Sequence, residues 1–270
     1  MDIPIIILRN TSNLTIKKRP SATCKSPYVA DANETEELLH TPSLSCGGLV
    51  DKDSSVVCSR KHKQSGKCKY LVQLGFDKIS NTYISTNPLL ANKITNSLLL
   101  NKLLKMPFHY ERYHINPEYT MGNSRFDFVI KDNNKTYIIE VKAVPIAVHE
   151  NLTIKELSKR DFSGYDSKKK IGVFPIGYRK SKNVPISERA IKHLNELGNN
   201  LENGTANYAC CLFIVGRDDV VSFQPSMEDQ FYLEAMKNAV KKGVKIRAVK
   251  MLWRNGCCYF GGELPVIIPE

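Results

Sequence analysis

The spacing of hydrophobic residues changes along the chain and divides it into two parts. Between about residues 28 and 83, short apolar runs alternate with clusters of turn residues, as in GGLVDKDSSVVCSRKHKQSGKCKYLVQLGF. This pattern predicts short strands, and a small β-barrel is their natural package. We therefore expect a β-barrel domain over residues 27–85, preceded by a flexible basic arm over the polar, irregular residues 1–26.

After the predicted barrel, the hydrophobic period becomes helical. NPLLANKITNSLLLNKLL has leucines at helical spacing after the start signal Asn87-Pro88. A second helix is predicted in ISERAIKHLNELGNN, with Ser187 as N-cap and Gly198 at its end. A third is predicted in SMEDQFYLEAMKNAVKKG, ending at Gly243, whereas YACCLFIVG and VKIRAVKMLW favour strands. This mixture predicts an α/β (α+β) domain over residues 86–270.

One segment of this second domain, SRFDFVIKDNNKTYIIEVKAV (residues 124–144), predicts a hairpin. Asn133-Asn134 suit a two-residue turn because asparagine tolerates left-handed backbone conformations. With this turn, Asp127 faces Glu140, and Lys142 shares the face of Glu140 because alternate strand residues point the same way. The remaining residues are apolar on both faces, so we expect the hairpin to lie in the core.

Two carboxylates that face each other inside apolar strands repel, and burial makes the repulsion worse. A divalent cation between them removes the conflict, and oxygen ligands suit Mg²⁺ or Mn²⁺. A lysine beside such a metal can orient a water or stabilise negative charge at phosphorus. Asp127, Glu140 and Lys142 are therefore predicted to catalyse phosphodiester hydrolysis, with Asp127 and Glu140 as metal ligands. The alternative, a solvated stripe of salt bridges, is disfavoured by Val129 and Ile138 on the same face.

The charge of the chain favours a polyanionic partner. Lys and Arg number 39 against 27 Asp and Glu, a formal net charge of +12. Nucleic acid is the partner that this charge most commonly indicates, although a lysine-rich genome would produce the same bias. Arg60, Lys61 and Lys63 fall in a predicted barrel loop, where they would grip a nucleic-acid backbone or form a solvated surface.

The cysteines and the hydropathy bear on the location of the protein. Eight cysteines occur without a CxxC pair, and several lie inside apolar runs, which favours reduced thiols. No run of about 20 apolar residues occurs, and the apolar stretch in MDIPIIILRN is too short for a signal peptide. We therefore expect an intracellular protein, cytoplasmic or nuclear.

The hairpin also carries a family resemblance. GNSRFDFVI followed by YIIEVKAV resembles the signature of the sugar fermentation stimulation protein A (SfsA) family. The segments LLHTPSLSCGGLVDKDSSVVCSRK, STNPLLANKI and ISERAIKHLNEL extend the resemblance over most of the chain. The resemblance implies an N-terminal OB-like barrel and a C-terminal restriction-endonuclease-like domain of the PD-(D/E)xK type, with a mixed sheet flanked by helices. It also implies DNA binding and, in some members, nuclease activity.

Site residues follow from this resemblance position by position. The acidic and basic core of the motif falls on Asp127, Glu140 and Lys142, and Glu118 stands where a further metal-site acid is expected. The residues that the resemblance places near nucleic acid are Ser124, Arg125, Arg189 and His193. For Arg189 and His193, a structural role is the equal alternative.

Two departures from the family pattern bear on substrate handling. The turn Pro42-Ser43-Leu44-Ser45 differs from the family's Pro-Asn-Ser/Thr-Gly, and FPIGYRKSKNVPIS is interrupted by an insertion.

The sequence leaves three hypotheses for function: a metal-dependent nuclease, a DNA-binding or regulatory protein that does not cleave, and an inert basic scaffold. The complete Asp…Glu-x-Lys set favours the first, because a protein that only binds has little reason to oppose two buried carboxylates.

Overall fold

The computed structural model describes residues 3–44, 46–61, 66–108, 113–122, 124–177, 179, 181 and 183–270. The first part of the chain forms the strands β1 Ile6–Ile7, β2 Thr11–Lys18, β3 Val29–Ala32, β4 Leu39–His40, β5 Ser55–Arg60, β6 Tyr70–Asp77 and β7 Thr82–Ser85. The remainder forms, in chain order, α1 Leu89–Leu100, β8 Tyr113–Met121, β9 Ser124–Asp132, β10 Lys135–Val144, β11 Ala147–Val148, α2 Ile154–Leu157, β12 Lys170–Phe174, α3 Glu188–Glu202, β13 Tyr208–Val215, β14 Val220–Pro225, α4 Gln230–Lys241, β15 Lys245–Arg254 and β16 Cys257–Leu264.

Strands β2 to β6 close into a small barrel. Their order is β4-β3-β2-β5-β6, and β4 also pairs with β6 in parallel, which completes the ring. Apolar side chains fill the interior, among them Ile16, Leu39, Cys58 and Val72. Closure of this kind removes exposed sheet edges and is typical of an OB-like barrel of five strands. The predicted barrel is confirmed, and β7 extends its sheet beside β6.

The expected flexible arm over residues 1–26 is wrong for much of its length. Strand β2 lies inside this segment and pairs with both β3 and β5. Leu14 is 6% exposed and Ile16 is 0% exposed because they point into the barrel. Strand β1 pairs with β16 at the edge of the large sheet. Within β2, polar residues such as Asn13 and Lys17 are exposed on the outer face and alternate with the buried Leu14 and Ile16.

The second part is built on a mixed sheet in the order β1-β16-β15-β13-β10-β9-β8. Strands β10, β13 and β15 run parallel, and the other neighbours are antiparallel. Helix α1 packs on one face, with Leu90, Ile94 and Leu98 in the core. Helices α3 and α4 pack on the other face, which confirms the predicted mixed α+β architecture.

Helix α3 begins as predicted but does not end where expected. The Ser187 side chain accepts a hydrogen bond from the Ala190 N–H and caps the helix. Gly198 was expected to stop the helix, but α3 continues to Glu202. A Cβ at Gly198 would lie 2.7 Å from Cδ of Lys242, just after α4. This glycine therefore allows close packing between helices rather than a turn.

The register of the central hairpin is confirmed over five recorded pairs, from Lys135–Asp132 to Ile139–Phe128. Asn133 has a φ of 52° and supplies the left-handed turn conformation. Along β10, side chains alternate between the core on α1 and the core on α3 and α4. Ile138 and Val144 lie on the α3–α4 side, so Glu140 and Lys142 share that face.

A buried charge network joins the barrel to the large sheet. Asp77 of the barrel accepts from Arg217 Nη2 at 3.3 Å and from Lys170 Nζ at 3.2 Å. The same two cations bind Asp219, which is 0% exposed. Ser85 adds two further links, because its N–H donates to the Gly216 carbonyl and its hydroxyl accepts from the Trp253 indole.

Within the described residues, no helix has the length and apolar character needed to cross a membrane.

Candidate active site

The candidate site forms where strands β9 and β10 separate. The backbone pairing between β9 and β10 ends at Phe128–Ile139. Asp127, the residue before Phe128 in β9, makes its hydrogen bond to β10 through its side chain instead. Its Oδ2 accepts a hydrogen bond from the Val141 N–H at 2.7 Å. Phe126, which the regular register would place with Val141 on the α1 face, packs in the core of α3 and α4. The departure from regular pairing is what positions the Asp127 carboxylate between the strands.

Asn92 on helix α1 holds the other oxygen of Asp127. Its Nδ2 donates to Asp127 Oδ1 at 2.8 Å and to Glu118 Oε1 at 3.2 Å. Glu118 is exposed, and its second oxygen pairs with Arg125 Nη2 at 2.9 Å. The side-chain amide of Asn92 thus links the predicted acid Glu118 to Asp127 by hydrogen bonds to both carboxylates. Sequence reasoning did not assign Asn92 a role, and its only signal was the family-like segment STNPLLANKI.

Glu140 lies at the centre of the site and is 2% exposed. Its Oε1 accepts from Lys142 Nζ at 2.6 Å and contacts His193 Nδ1. Lys142 Nζ also lies 3.2 Å from His193 Nδ1. On the other side of the ring, Arg189 Nε donates to His193 Nε2 at 3.4 Å. The predicted residues of helix α3 therefore meet the predicted residues of β10.

One oxygen of this carboxylate has no partner in the part of the chain that the structure describes. Glu140 Oε2 is buried and makes no hydrogen bond within the described residues. A buried, unpaired carboxylate oxygen is costly, because burial removes water that would otherwise solvate it. Such an atom marks the place where a ligand group would be stabilising.

The two carboxylates respond differently to their surroundings. Burial raises the pKa of Asp127, and the nearby Glu140 charge raises it further. Burial also acts to raise the pKa of Glu140, but the hydrogen bond of His193 and the charge of Lys142 outweigh it, so this pKa lies below its usual range.

A second buried polar atom without a hydrogen-bond partner among the described residues lies behind Glu140. Glu140 is paired with Cys211 of β13 in the parallel register, so both side chains point toward α3 and α4. Tyr232 of α4 is 0% exposed, and its hydroxyl has no hydrogen bond of normal geometry in the described part of the chain. Burial raises the pKa of Tyr232, and the neighbouring Cys211 and Glu140 add to the effect.

The donor set is compatible with a hard divalent cation. Mg²⁺ commonly binds through one or two carboxylates and completes its shell with water and substrate oxygens. Asp127 and Glu140, with the unpaired Oε2, provide such a pair. Across the residues that the structure describes, no three His, Cys, Asp or Glu side chains form a ready-made metal cluster. A bound cation would therefore depend on water or substrate for the rest of its shell.

The other residues predicted to contact nucleic acid occupy two places. Ser124 and Arg125 open strand β9 beside the carboxylates, and Arg125 is exposed. On the barrel, Arg60 is exposed, pairs with Glu37 at 3.3 Å and lies 5.6 Å from the Tyr70 ring. Lys61 follows it directly, whereas Lys63 lies outside the described residues. The structure records no contact between the described barrel cations and the carboxylates.

Comparison with known proteins gives consistent similarities. A family model described as the sugar fermentation stimulation protein RE domain matches residues 89–154 and 185–256. A sugar fermentation stimulation protein homolog of Carboxydothermus hydrogenoformans is 27% identical over 232 residues, which cover 86% of this chain and 87% of the relative. A homolog of Clostridium botulinum (strain Langeland) is 28% identical over 249 residues, 91% of this chain and 92% of the relative.

A solved structure shares the fold. The Pyrococcus furiosus SfsA, described as a complex with Ca²⁺, superposes with a TM-score of 0.74 at 19% identity, over 98% of this chain and 100% of the other. The matched family segments contain α1, β8, the hairpin and α3, which together carry the side chains of the carboxylate site.

Proposed function

Since this chain belongs to the sugar fermentation stimulation protein family, we propose that it is a DNA-binding nuclease that hydrolyses phosphodiester bonds with a divalent cation. The observation that carries the proposal is the unpaired Glu140 Oε2, buried beside a second carboxylate, Asp127. A protein gains nothing in stability from this arrangement, because the two like charges repel and one oxygen is unsatisfied. A cation ligand accounts for both features.

Asp127 and Glu140 would hold the cation, Mg²⁺ or Mn²⁺, and Glu118 would add a further acid nearby. Bound there, the cation would lower the pKa of a water and polarise the phosphoryl group. The relative from Pyrococcus furiosus is described as a Ca²⁺ complex, which supports a divalent cation of the same oxygen-preferring class.

The chain itself supplies the positive charge for the phosphate. Lys142 Nζ is fixed by Glu140 and lies against His193, so its ammonium group is placed before substrate arrives. A preorganised cation of this kind stabilises the charge that develops on phosphoryl oxygens. Exposed Arg125 and Arg189 would contact neighbouring phosphates, since Arg suits phosphate geometry.

Binding to DNA is supported by the wider charge distribution. Between Ala235 and Gly261 the chain has seven Lys or Arg residues and no acidic residue. The barrel adds the basic segment that contains Arg60, Lys61 and Lys63. Contacts with the DNA backbone through such residues would make binding strongly dependent on salt concentration.

The second candidate function is DNA binding without cleavage. It is favoured by the lack of a three-ligand metal cluster in the described residues. Lys142 and His193 also already engage Glu140 Oε1, which leaves a single free oxygen on that carboxylate. Both functions predict salt-dependent binding, so the presence of turnover distinguishes them.

A cleavage assay tests the proposal. Purified protein is incubated with DNA in Mg²⁺ or Mn²⁺, beside the variants Asp127→Asn and Lys142→Met. Lys131→Met serves as control, because Lys131 lies exposed on β9 and contacts Tyr119 rather than the carboxylates. We expect cleavage by wild type and the control and loss of cleavage in both site variants. Equal cleavage by all four proteins would identify a contaminant, and binding without turnover would establish the second function.

A further inference from the structure

A cavity of about 430 Å³ lies between the barrel and the carboxyl end of β10. Its wall is formed by Tyr28 and Leu44 of the barrel, Thr86 just before α1, Ala143 and Ile146 at the end of β10, and Phe174 at the end of β12. Cavities of this size between domains are typical of ligand sites. Two of the segments that carry the family resemblance, LLHTPSLSC and STNPLLANKI, meet here.

The cavity adjoins the carboxylate site along two elements. Ala143 directly follows Lys142 in β10. Pro88 also lines the cavity and precedes Asn92 by four residues, which is about 6 Å along helix α1. A polymer with one phosphate at Asp127 and Glu140 would therefore have its adjoining unit at the cavity.

The chemistry of the wall selects the kind of unit. None of the described residues that line the cavity is charged, so this part of the wall does not suit a phosphate. Tyr28, 40% exposed, and Phe174 present aromatic rings at the wall, while the rest is mostly aliphatic. Thr86 is 2% exposed, and its hydroxyl has no hydrogen-bond partner in the described residues. Aromatic walls with a free hydrogen-bonding group suit a nucleobase.

One cationic group beside the cavity is placed to meet a backbone phosphate. It is not Arg19, whose side chain is 7% exposed, pairs with Asp51 and holds the wall by donating to the carbonyls of Ser43 and Leu44. Lys142 stands at the opposite end, beside the carboxylates. A chamber without charge on its described wall and with the Lys142 ammonium beside it complements a nucleotide, with the base inside and the phosphate toward Lys142.

We propose that this cavity holds an unpaired nucleobase adjoining the phosphate at Asp127 and Glu140, so that the protein acts on single-stranded or locally unpaired DNA. The inference rests on the proposed function, since it requires nucleic acid at the carboxylate site. Bases in a continuous duplex are paired and stacked, and one enters such a chamber only after leaving the stack. Single strands present their bases freely, and each base stacked on an aromatic side chain contributes about 1–3 kcal/mol.

Binding measured in EDTA tests the inference without turnover. A single-stranded oligonucleotide carrying 2-aminopurine and the same sequence as a blunt duplex are titrated with protein, and anisotropy and 2-aminopurine emission are followed. The variant Tyr28→Ala removes the aromatic wall, and Ala143→Leu fills the cavity from the other side. Phe231→Ala is the matched control, because Phe231 is a similarly exposed aromatic residue, 45% exposed, that does not line the cavity.

We expect wild type to bind the single strand more tightly than the duplex and to quench 2-aminopurine. Tyr28→Ala should weaken single-strand binding at least about fivefold and leave duplex binding within about twofold. Ala143→Leu should act in the same direction, and Phe231→Ala should change neither.

Duplex binding that equals or exceeds single-strand binding would overturn the cavity assignment and leave the proposed function standing. An equal effect of Tyr28→Ala and Phe231→Ala on single-strand binding would also overturn the cavity assignment and leave the proposed function standing. Absence of binding to both DNAs at low salt would refute the proposed function itself. If one cavity variant does not fold, as judged by thermal unfolding, the other carries the test.

Discussion

Replacing Asp219 with Asn should destabilise the protein strongly, because Asp219 neutralises a buried cluster. Its carboxylate accepts from Arg217 Nε at 2.6 Å and from Lys170 Nζ at 3.0 Å. Arg217 and Lys170 are 4% and 7% exposed, so neither can turn to water. In Asp219→Asn both cations would share Asp77 alone, whose Oδ2 lies 3.3 Å and 3.2 Å from them.

Removing one partner of a buried ion pair typically costs about 3–5 kcal/mol. We expect a loss in this range from the free energy of unfolding, measured by urea titration at neutral pH. Asp166→Asn is the matched control, because Asp166 pairs with Lys169 on the surface, where such pairs contribute about 0–1 kcal/mol. A loss below about 1 kcal/mol for Asp219→Asn, or one equal to that of the control, would refute the role of the network.

The pH dependence provides a second readout of the same network. Burial opposes the charge of Asp219, but the hydrogen bonds and charges of Arg217 and Lys170 outweigh it and hold its pKa well below its usual range. A depressed pKa contributes stability above the unfolded-state pKa of about 4, and the contribution is lost as pH falls below it. Wild type should therefore lose stability more steeply than Asp219→Asn as the pH falls below about 4.

Two further predictions concern the candidate site. Asn92→Ala should weaken Mn²⁺ binding roughly 10- to 100-fold, because Asp127 and Glu118 lose the amide that orients them. Unchanged affinity in a Mn²⁺ titration would show that Asn92 does not position these carboxylates. Tyr232→Phe should raise the free energy of unfolding by about 1 kcal/mol, because it removes a buried hydroxyl that has no hydrogen-bond partner among the described residues. A loss of stability in urea titration would show that the hydroxyl is bonded in solution.

The hairpin shows how far local sequence reasoning reaches. Turn chemistry at Asn133-Asn134 and a period of two were sufficient to predict the pairing down to Ile139–Phe128. They could not predict the separation of the strands at Asp127, because that depends on a hydrogen bond from Val141 to a side chain rather than to the backbone. At the same point Phe126 packs in the core beside α3 and α4, and not in the core beside α1 that the regular register predicts.

Contacts between distant segments were beyond local patterns. Asn92 reaches Asp127 only because α1 packs on the sheet, and an asparagine inside a helix has no distinguishing local signal. Strand β2 was missed because only Leu14 and Ile16 mark its inner face in a polar segment. Gly198 suggested a helix end. A glycine is instead required there because Lys242, just after α4, packs closely against α3 at this position.

The central claim is that Asp127 and Glu140 hold a divalent cation, and calorimetric titration with Mn²⁺ tests it most directly. We predict that wild type binds Mn²⁺ and that Glu140→Gln binds it at least about tenfold more weakly, because the variant lacks the buried carboxylate with the free oxygen. Equal affinity in wild type and Glu140→Gln, or no binding by wild type, would contradict the account.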